Sequence, residues 1–245
     1  MRIKEKIENI NYSETKQFFS KRASKFNDNN PYSVTMYQDN NADLVKARNE
    51  KEIQKLLPKL SMTETAKVLD VACGIGRWAD AISENVLEYC GVDFSGEMIE
   101  IANRRNDKSN FEFYEGSADD IERVLRDNGK GKYNRFLLIG ILIYLNDEDV
   151  ESALKQVEHN CEEHGIICVR DPIGLAERLT LKDFYSDELQ DNYNAIYRNR
   201  EELYKIFENT LLAKGFQIRE EGFVFEDDAL NNRKETAQYY FILER

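Results

Sequence analysis

From Lys67 onward, short apolar runs alternate with amphipathic stretches, and this alternation is the strongest structural signal in the chain. The runs KVLDVA (67–72), EYCGVD (88–93), FEFYEG (111–116), YNRFLLIG (133–140) and GIICVRD (165–171) read as strands. Helical patterns fill the intervals near 77–86, 96–105, 119–127 and 147–160. Repeated β-α units at this spacing predict an α/β fold with a doubly wound parallel sheet. After Asp171 the regularity lapses until about residue 200. It resumes with a helix near 200–214, then FQIREEGFVF (216–225) and TAQYYFILER (236–245), two runs suited to antiparallel pairing at the sheet edge.

Before residue 67 the chain is polar and helical in tendency. Ser13 is the expected N-cap of an amphipathic helix in NYSETKQFFSKRASKF, the turn-rich NDNNPYS breaks it, and a second helix follows from Asp43 to Leu57. The expected organisation is an N-terminal helical cover (1–66) and a core (67–245) carrying a lid-like insertion at about 172–200.

Composition narrows the partners. The 245 residues include 46 acidic and 34 basic side chains, a formal net charge of -12, which disfavours nucleic acid and anionic membranes. The basic pairs Lys21-Arg22 and Arg104-Arg105 read as solvated helix faces. No window approaches a membrane span, and MRIKEKIENI lacks the apolar core of a secretory signal, so a cytoplasmic location is expected. The four cysteines form no CxxC pair and there are only two histidines, so buried free thiols are expected and no metal site.

The candidate chemistry begins at CGIGRWA, which follows one predicted strand and opens a helix. Gly74 and Gly76 let the backbone pass close to a ligand, and Ala79 stands where a third small residue is wanted. Asp93, nineteen residues beyond Gly74 at the end of the next strand, is placed to accept from both hydroxyls of a ribose. These features alone admit a nicotinamide dinucleotide. Asp70 opposes it: near the carboxyl end of the first strand it would repel a pyrophosphate by several kcal/mol at about 4 Å. A cofactor bearing an ammonium and a sulfonium beside an adenosine is attracted instead, as in S-adenosylmethionine. Asp70 acting only as a cap of its own loop fits either cofactor.

VLDVACGIGRWADAI, GVDFSGEMIEIANRR and FYEGSADDI, in this order, resemble the successive motifs of a class I S-adenosylmethionine-dependent methyltransferase over about residues 65–171. The resemblance implies a Rossmann-like seven-stranded, mostly parallel sheet with helices on both faces and an antiparallel last strand. It implies that Asp70, Ala72, Gly74 and Gly76 surround the methionine part of the cofactor and that Asp93 binds the ribose. Phe94 and Met98 then flank the adenine, with simple core packing as the alternative for both. Ser117, Ala118 and Asp119 would complete the adenine site, and the segment Ile139 to Tyr144 would floor the pocket. Where the family often has a histidine, Ile143-Tyr144-Leu145 stands.

Strand ends of an open α/β sheet face the ligand crevice, which puts Arg170 and Asp171 toward the substrate. Asp171 is the expected base or amine-holding carboxylate, with Tyr144 second; a structural ion pair with a nearby arginine is the alternative for Asp171. In the insertion, Tyr193 and Tyr197 would share a face of a short helix beside Arg198 and Arg200. Such a cluster suits a sugar and a phosphate, or an ammonium held by cation–π contact, or it simply covers the core. Arg22 or Tyr37 is a candidate partner for the cofactor carboxylate. The expected activity is methyl transfer to a polar small molecule such as a sugar, sugar nucleotide or surface-polysaccharide precursor. A nicotinamide-dependent oxidoreductase and a non-catalytic S-adenosylmethionine-binding module are the competing readings. The sequence says nothing firm about oligomeric state.

Overall fold

A computed structural model describes residues 1–4, 6–187 and 189–245. The strands are β1 (Arg2–Lys4), β2 (Lys67–Val71), β3 (Glu88–Asp93), β4 (Phe111–Glu115), β5 (Tyr133–Ile139), β6 (Cys161–Gly174), β7 (Leu179–Ser186), β8 (Asp191–Tyr197), β9 (Gln217–Phe223) and β10 (Thr236–Glu244). The helices are α1 (Tyr12–Ser24), α2 (Ser33–Met36), α3 (Ala42–Leu56), α4 (Arg77–Ala81), α5 (Gly96–Arg105), α6 (Ile121–Asp127), α7 (Asp147–His159) and α8 (Arg200–Asn209).

Seven strands form the expected sheet in the order β4-β3-β2-β5-β6-β10-β9. The first five pair in parallel, and β10 runs antiparallel between β6 and β9. The order reverses between β2 and β5, and a ligand crevice opens at the carboxyl ends of the strands on such a reversal. Both faces are apolar. Leu69, Val71, Phe136, Leu138, Ile167 and Val169 pack toward α6, α7 and α8, while Val68, Leu137, Ile166 and Cys168 join the cluster containing Leu56, Trp78 and Ala102. All four cysteines are buried and free.

Three local expectations are corrected. Asn11, not Ser13, caps α1: its side chain accepts the Ser13 N–H at 3.0 Å. The helix after the glycine loop stops at Ala81, because Ile82 turns extended to bury its side chain. The insertion is not irregular; β7 and β8 form an antiparallel hairpin that takes β1 as a third strand. Tyr193 and Tyr197 therefore stand on a strand, where every second residue shares a face, and they still point the same way.

Buried charge ties the N-terminal helices to this core. Glu52 of α3, 1% exposed, receives Arg77 at 2.6 Å from the start of α4 and Arg170 at 2.7 Å from β6. The two guanidinium groups hold its carboxyl below the usual range against the opposing effect of burial. Removing one member of a buried ion bridge leaves the others uncompensated, which costs about 3–5 kcal/mol. Glu52→Gln should lower the unfolding free energy by an amount of that order in denaturant titrations; a loss below about 1 kcal/mol would show that the bridge does not anchor the helix.

Candidate active site

The glycine loop is shaped by three consecutive demands on the backbone. Ala72 and Gly74 adopt positive φ (61° and 55°), and Gly76 does so at 76° to start α4. A Cβ at Gly74 would meet Thr35 Cγ2 of α2 at 2.9 Å, so the loop and the N-terminal helices close on one another here. Ala72 has no glycine's freedom, and a left-handed non-glycine residue of this kind marks stored strain.

Asp93 ends β3 directly beneath the loop. Its carboxylate accepts the Gly74 N–H at 2.9 Å and the Ser95 N–H at 3.0 Å, while burial raises its pKa to about 6. Asp70, 2% exposed, accepts the Tyr89 hydroxyl at 2.5 Å, and desolvation lifts it to about 7. Two buried acids thus share a site with no cation bonded to either carboxylate among the described residues. A ligand carrying positive charge and hydroxyl donors fits this pair, and a pyrophosphate does not.

One cavity of about 450 Å³ lies over this end of the sheet. Of the residues expected from the sequence, Asp70, Ala72, Gly74, Asp93, Phe94, Met98, Ser117, Ala118, Asp119, Ile139, Tyr144, Arg170, Tyr193 and Tyr197 line it. Met98 also packs with Ile75, Val34 and Ala23, so it serves the core and the cavity together. Tyr37 lines the wall with an unusual backbone (φ 64°, ψ -157°), held by Arg22. Arg22 is buried, bonded to Asp39 at 2.5 Å and to the Ser33 and Val34 carbonyls, and stacked 5.4 Å from the Tyr37 ring. Four of its five N–H donors are engaged, and Tyr37 is the member of that pair that lines the cavity.

Three expected site residues lie outside the cavity wall. Gly76 turns the chain into α4, and a Cβ there would meet the Phe113 ring at 3.2 Å. Asp171 follows Arg170 on β6, and successive strand residues point to opposite faces, so Arg170 toward the cavity sends Asp171 away. Asp171 instead accepts the Leu142 N–H at 3.1 Å and holds the 3-10 turn of 142–144 that presents Tyr144, with burial raising its pKa to about 7. Arg198 is buried and bonded to Asp147 and to the Leu142 and Leu145 carbonyls, each at 2.7 Å. It fastens the hairpin to that same turn and offers no fork to a phosphate.

Residues that sequence reading passed over also line the cavity, notably Arg48, Glu52, Arg77, Asn231, Asn232, Thr236 and Gln238. Arg170 reaches Gln238 at 3.1 Å as well as Glu52, which links the β10 side to the ion bridge. Arg77 directly follows the glycine loop and was the most visible of these. Among the described residues no group of three or more histidine, cysteine or acidic side chains can hold a metal ion.

Residues 68–165 match a family model described as "Methyltransferase domain". A 23S rRNA (uracil(1939)-C(5))-methyltransferase of Pasteurella multocida is 36% identical over 74 residues, a match spanning 29% of this chain and only 17% of that enzyme. Similar solved structures include an S-adenosylmethionine-dependent methyltransferase of Leishmania major (TM-score 0.62, 14% identity, 93% of this chain and 83% of that one). A Haemonchus contortus phosphoethanolamine N-methyltransferase bound to phosphoethanolamine and S-adenosylhomocysteine gives TM-score 0.66 at 16% identity, over 94% of this chain and 48% of that one. Magnesium protoporphyrin IX methyltransferase of Synechocystis, with bound cofactor, gives 0.55 at 13% identity over 83% and 81%. At these identities the likeness to solved structures is one of fold. Residues 68–165 thus carry a methyltransferase domain, in the fold of S-adenosylmethionine-dependent methyltransferases.

The buried acids set a pH dependence whose sign is unusual for carboxylates. Asp70, Asp93 and Asp171 keep their protons to about pH 6–7 when folded but lose them near the ordinary carboxylate value when unfolded. Between these limits the folded state binds more protons, so stability of the ligand-free protein should fall as pH rises through that window. Chemical denaturation across the range checks this, and Asp70→Asn should flatten the slope; stability that rises with pH there would contradict the assignment.

Proposed function

We propose that the protein transfers the methyl group of S-adenosylmethionine to a polar small molecule bound in the same cavity. The observation carrying this reading is the coexistence, in one cavity, of a glycine loop over two buried acids and a wall of polar side chains reaching β10. When bound, S-adenosylmethionine supplies an electrophilic methyl group on a sulfonium. Asp93 has lone pairs left beyond its two backbone bonds for the ribose hydroxyls. Asp70 meets the ammonium of the methionine part, and its proton leaves as that charge arrives. Ser117, Ala118 and Asp119 contact the adenine, with Phe94 and Met98 at its faces.

The chain's own contribution to rate is positioning. The turn at 142–144, held from below by Asp171 and Arg198, fixes where an acceptor meets the methyl group, and orientation of this kind supplies much of the acceleration available to such a transfer. A small molecule is favoured over nucleic acid because α1, α2 and the β7–β8 hairpin contribute Phe19, Tyr37 and Tyr193 to the wall and because the net charge is -12. The rRNA specificity of the Pasteurella enzyme does not carry over on these grounds. Sugars and sugar nucleotides stay within the proposed class through the tyrosines, without a phosphate contact from Arg198.

Titration calorimetry tests the reading. S-adenosylmethionine and S-adenosylhomocysteine should bind with dissociation constants on the order of micromolar, and a nicotinamide dinucleotide should give no heat. Asp93→Asn, which loses charge-assisted ribose bonds, should weaken binding about tenfold or more. Folded protein that ignores S-adenosylmethionine, or prefers the dinucleotide, would overturn the proposal.

A further inference from the structure

Four tyrosine hydroxyls from three separate parts of the chain meet at the cavity wall. Tyr37 follows α2, Tyr144 stands on the turn after β5, and Tyr193 and Tyr197 come from β8. The Tyr37 and Tyr144 hydroxyls are hydrogen-bonded, Tyr144 and Tyr193 lie 3.0 Å apart, and Tyr197 donates to Tyr193 at 3.3 Å. Phe18 and Phe19 back the group with edge-on rings at 5.6 Å from Tyr193 and 5.0 Å from Tyr144. A phenol carries one donor and two accepting lone pairs, so a chain of hydroxyls bonded to one another consumes its protons faster than its lone pairs. The cluster therefore presents an excess of accepting oxygen to the cavity and carries no charge of its own.

Resting on the methyl-transfer reading above, we propose that the methyl acceptor is an amine nitrogen whose N–H groups are received by the hydroxyls of Tyr37, Tyr144, Tyr193 and Tyr197. A hydroxyl acceptor needs a base to take its proton, and none touches this cluster. Among the described residues, no carboxylate or imidazole is hydrogen-bonded to the four hydroxyls. Burial keeps three of the phenols protonated, lifting Tyr37 to about 12 and Tyr144 and Tyr193 well above their usual value. Asp171, the acid next to the Tyr144 turn, faces the other side of the sheet. An alkylamine arrives as an ammonium and gives one proton to water on entering the site, and the neutral amine that results requires no base for its attack. Its lone pair forms the N–C bond as the S–C bond breaks, the sulfonium becomes a neutral thioether, and the new ammonium releases one proton to water.

Ligand-observed NMR on the protein saturated with S-adenosylhomocysteine tests this, using isobutylamine and its neutral analogue isobutanol as probes. The amine should take saturation from the protein and the alcohol should bind at least about tenfold more weakly. Tyr144→Phe and Tyr193→Phe should each weaken the amine by about fivefold or more, while S-adenosylhomocysteine affinity and melting temperature stay near wild type. Equal binding of amine and alcohol, no binding of the amine, or Phe variants that bind it like wild type would overturn the inference and leave the methyl-transfer reading standing. Failure of S-adenosylhomocysteine itself to bind would overturn both.

Discussion

A carboxylate held out of water at the end of a core strand is unfavourable unless something compensates its charge, and Asp70 occupies that position with the Tyr89 hydroxyl bonded to it and Arg77 acting on it without a bond. Tyr89 is itself buried, stacked at 4.7 Å on Phe111, so the strand next door fixes the partner as firmly as it fixes the acid. Asp93 adds a second buried acid one strand away, spent in part on holding the glycine loop. The site is thus a region of unmet demand for positive charge, built from adjacent parallel strands. An ammonium and sulfonium satisfy that demand, and a pyrophosphate worsens it.

The rest of the architecture holds this region in register. Glu52 joins the N-terminal helices to the start of α4 and to β6, which ties the wall over the glycine loop to the strand bearing Arg170. Arg198 and Arg178 converge on Asp147 at the start of α7 and fasten the β7–β8 hairpin to the turn that carries Tyr144. Arg22 does the same for Tyr37. Arg22 pairs with Asp39, Arg77 and Arg170 share Glu52, and Arg178 and Arg198 share Asp147, so the polar groups left for ligands are chiefly hydroxyls, amides and the two aspartates.

Most of the sheet was legible because its strands are apolar on both faces and its helices have one apolar stripe, two patterns that differ in period. The glycine loop over Asp93 was legible because glycine and aspartate have few reasons to stand at those spacings. The hairpin was missed although Tyr193, Ala195 and Tyr197 alternate with Asn194 and Ile196 in a period of two; tyrosines four apart suit a helix and a strand equally. Asp171 and Arg170 were both assigned to the crevice, where the strand's own alternation allows only one. Glu52 and Arg48 lie on the buried stripe Val45, Arg48, Glu52, Leu56 of α3, so their spacing marked them as inward, but a charged helix hides two buried charges among many solvated ones. Arg198 looked available for phosphate because a sequence does not display the carbonyls that consume a guanidinium.

Asp70, buried and with its pKa raised to about 7, holds a proton that an arriving cationic ligand should displace. Calorimetric titration of S-adenosylmethionine at about pH 6.5, in buffers of low and high ionisation enthalpy, measures the protons released on binding. The wild type should release protons and Asp70→Asn clearly fewer. Identical binding enthalpies in both buffers, or release unchanged in the variant, would contradict it.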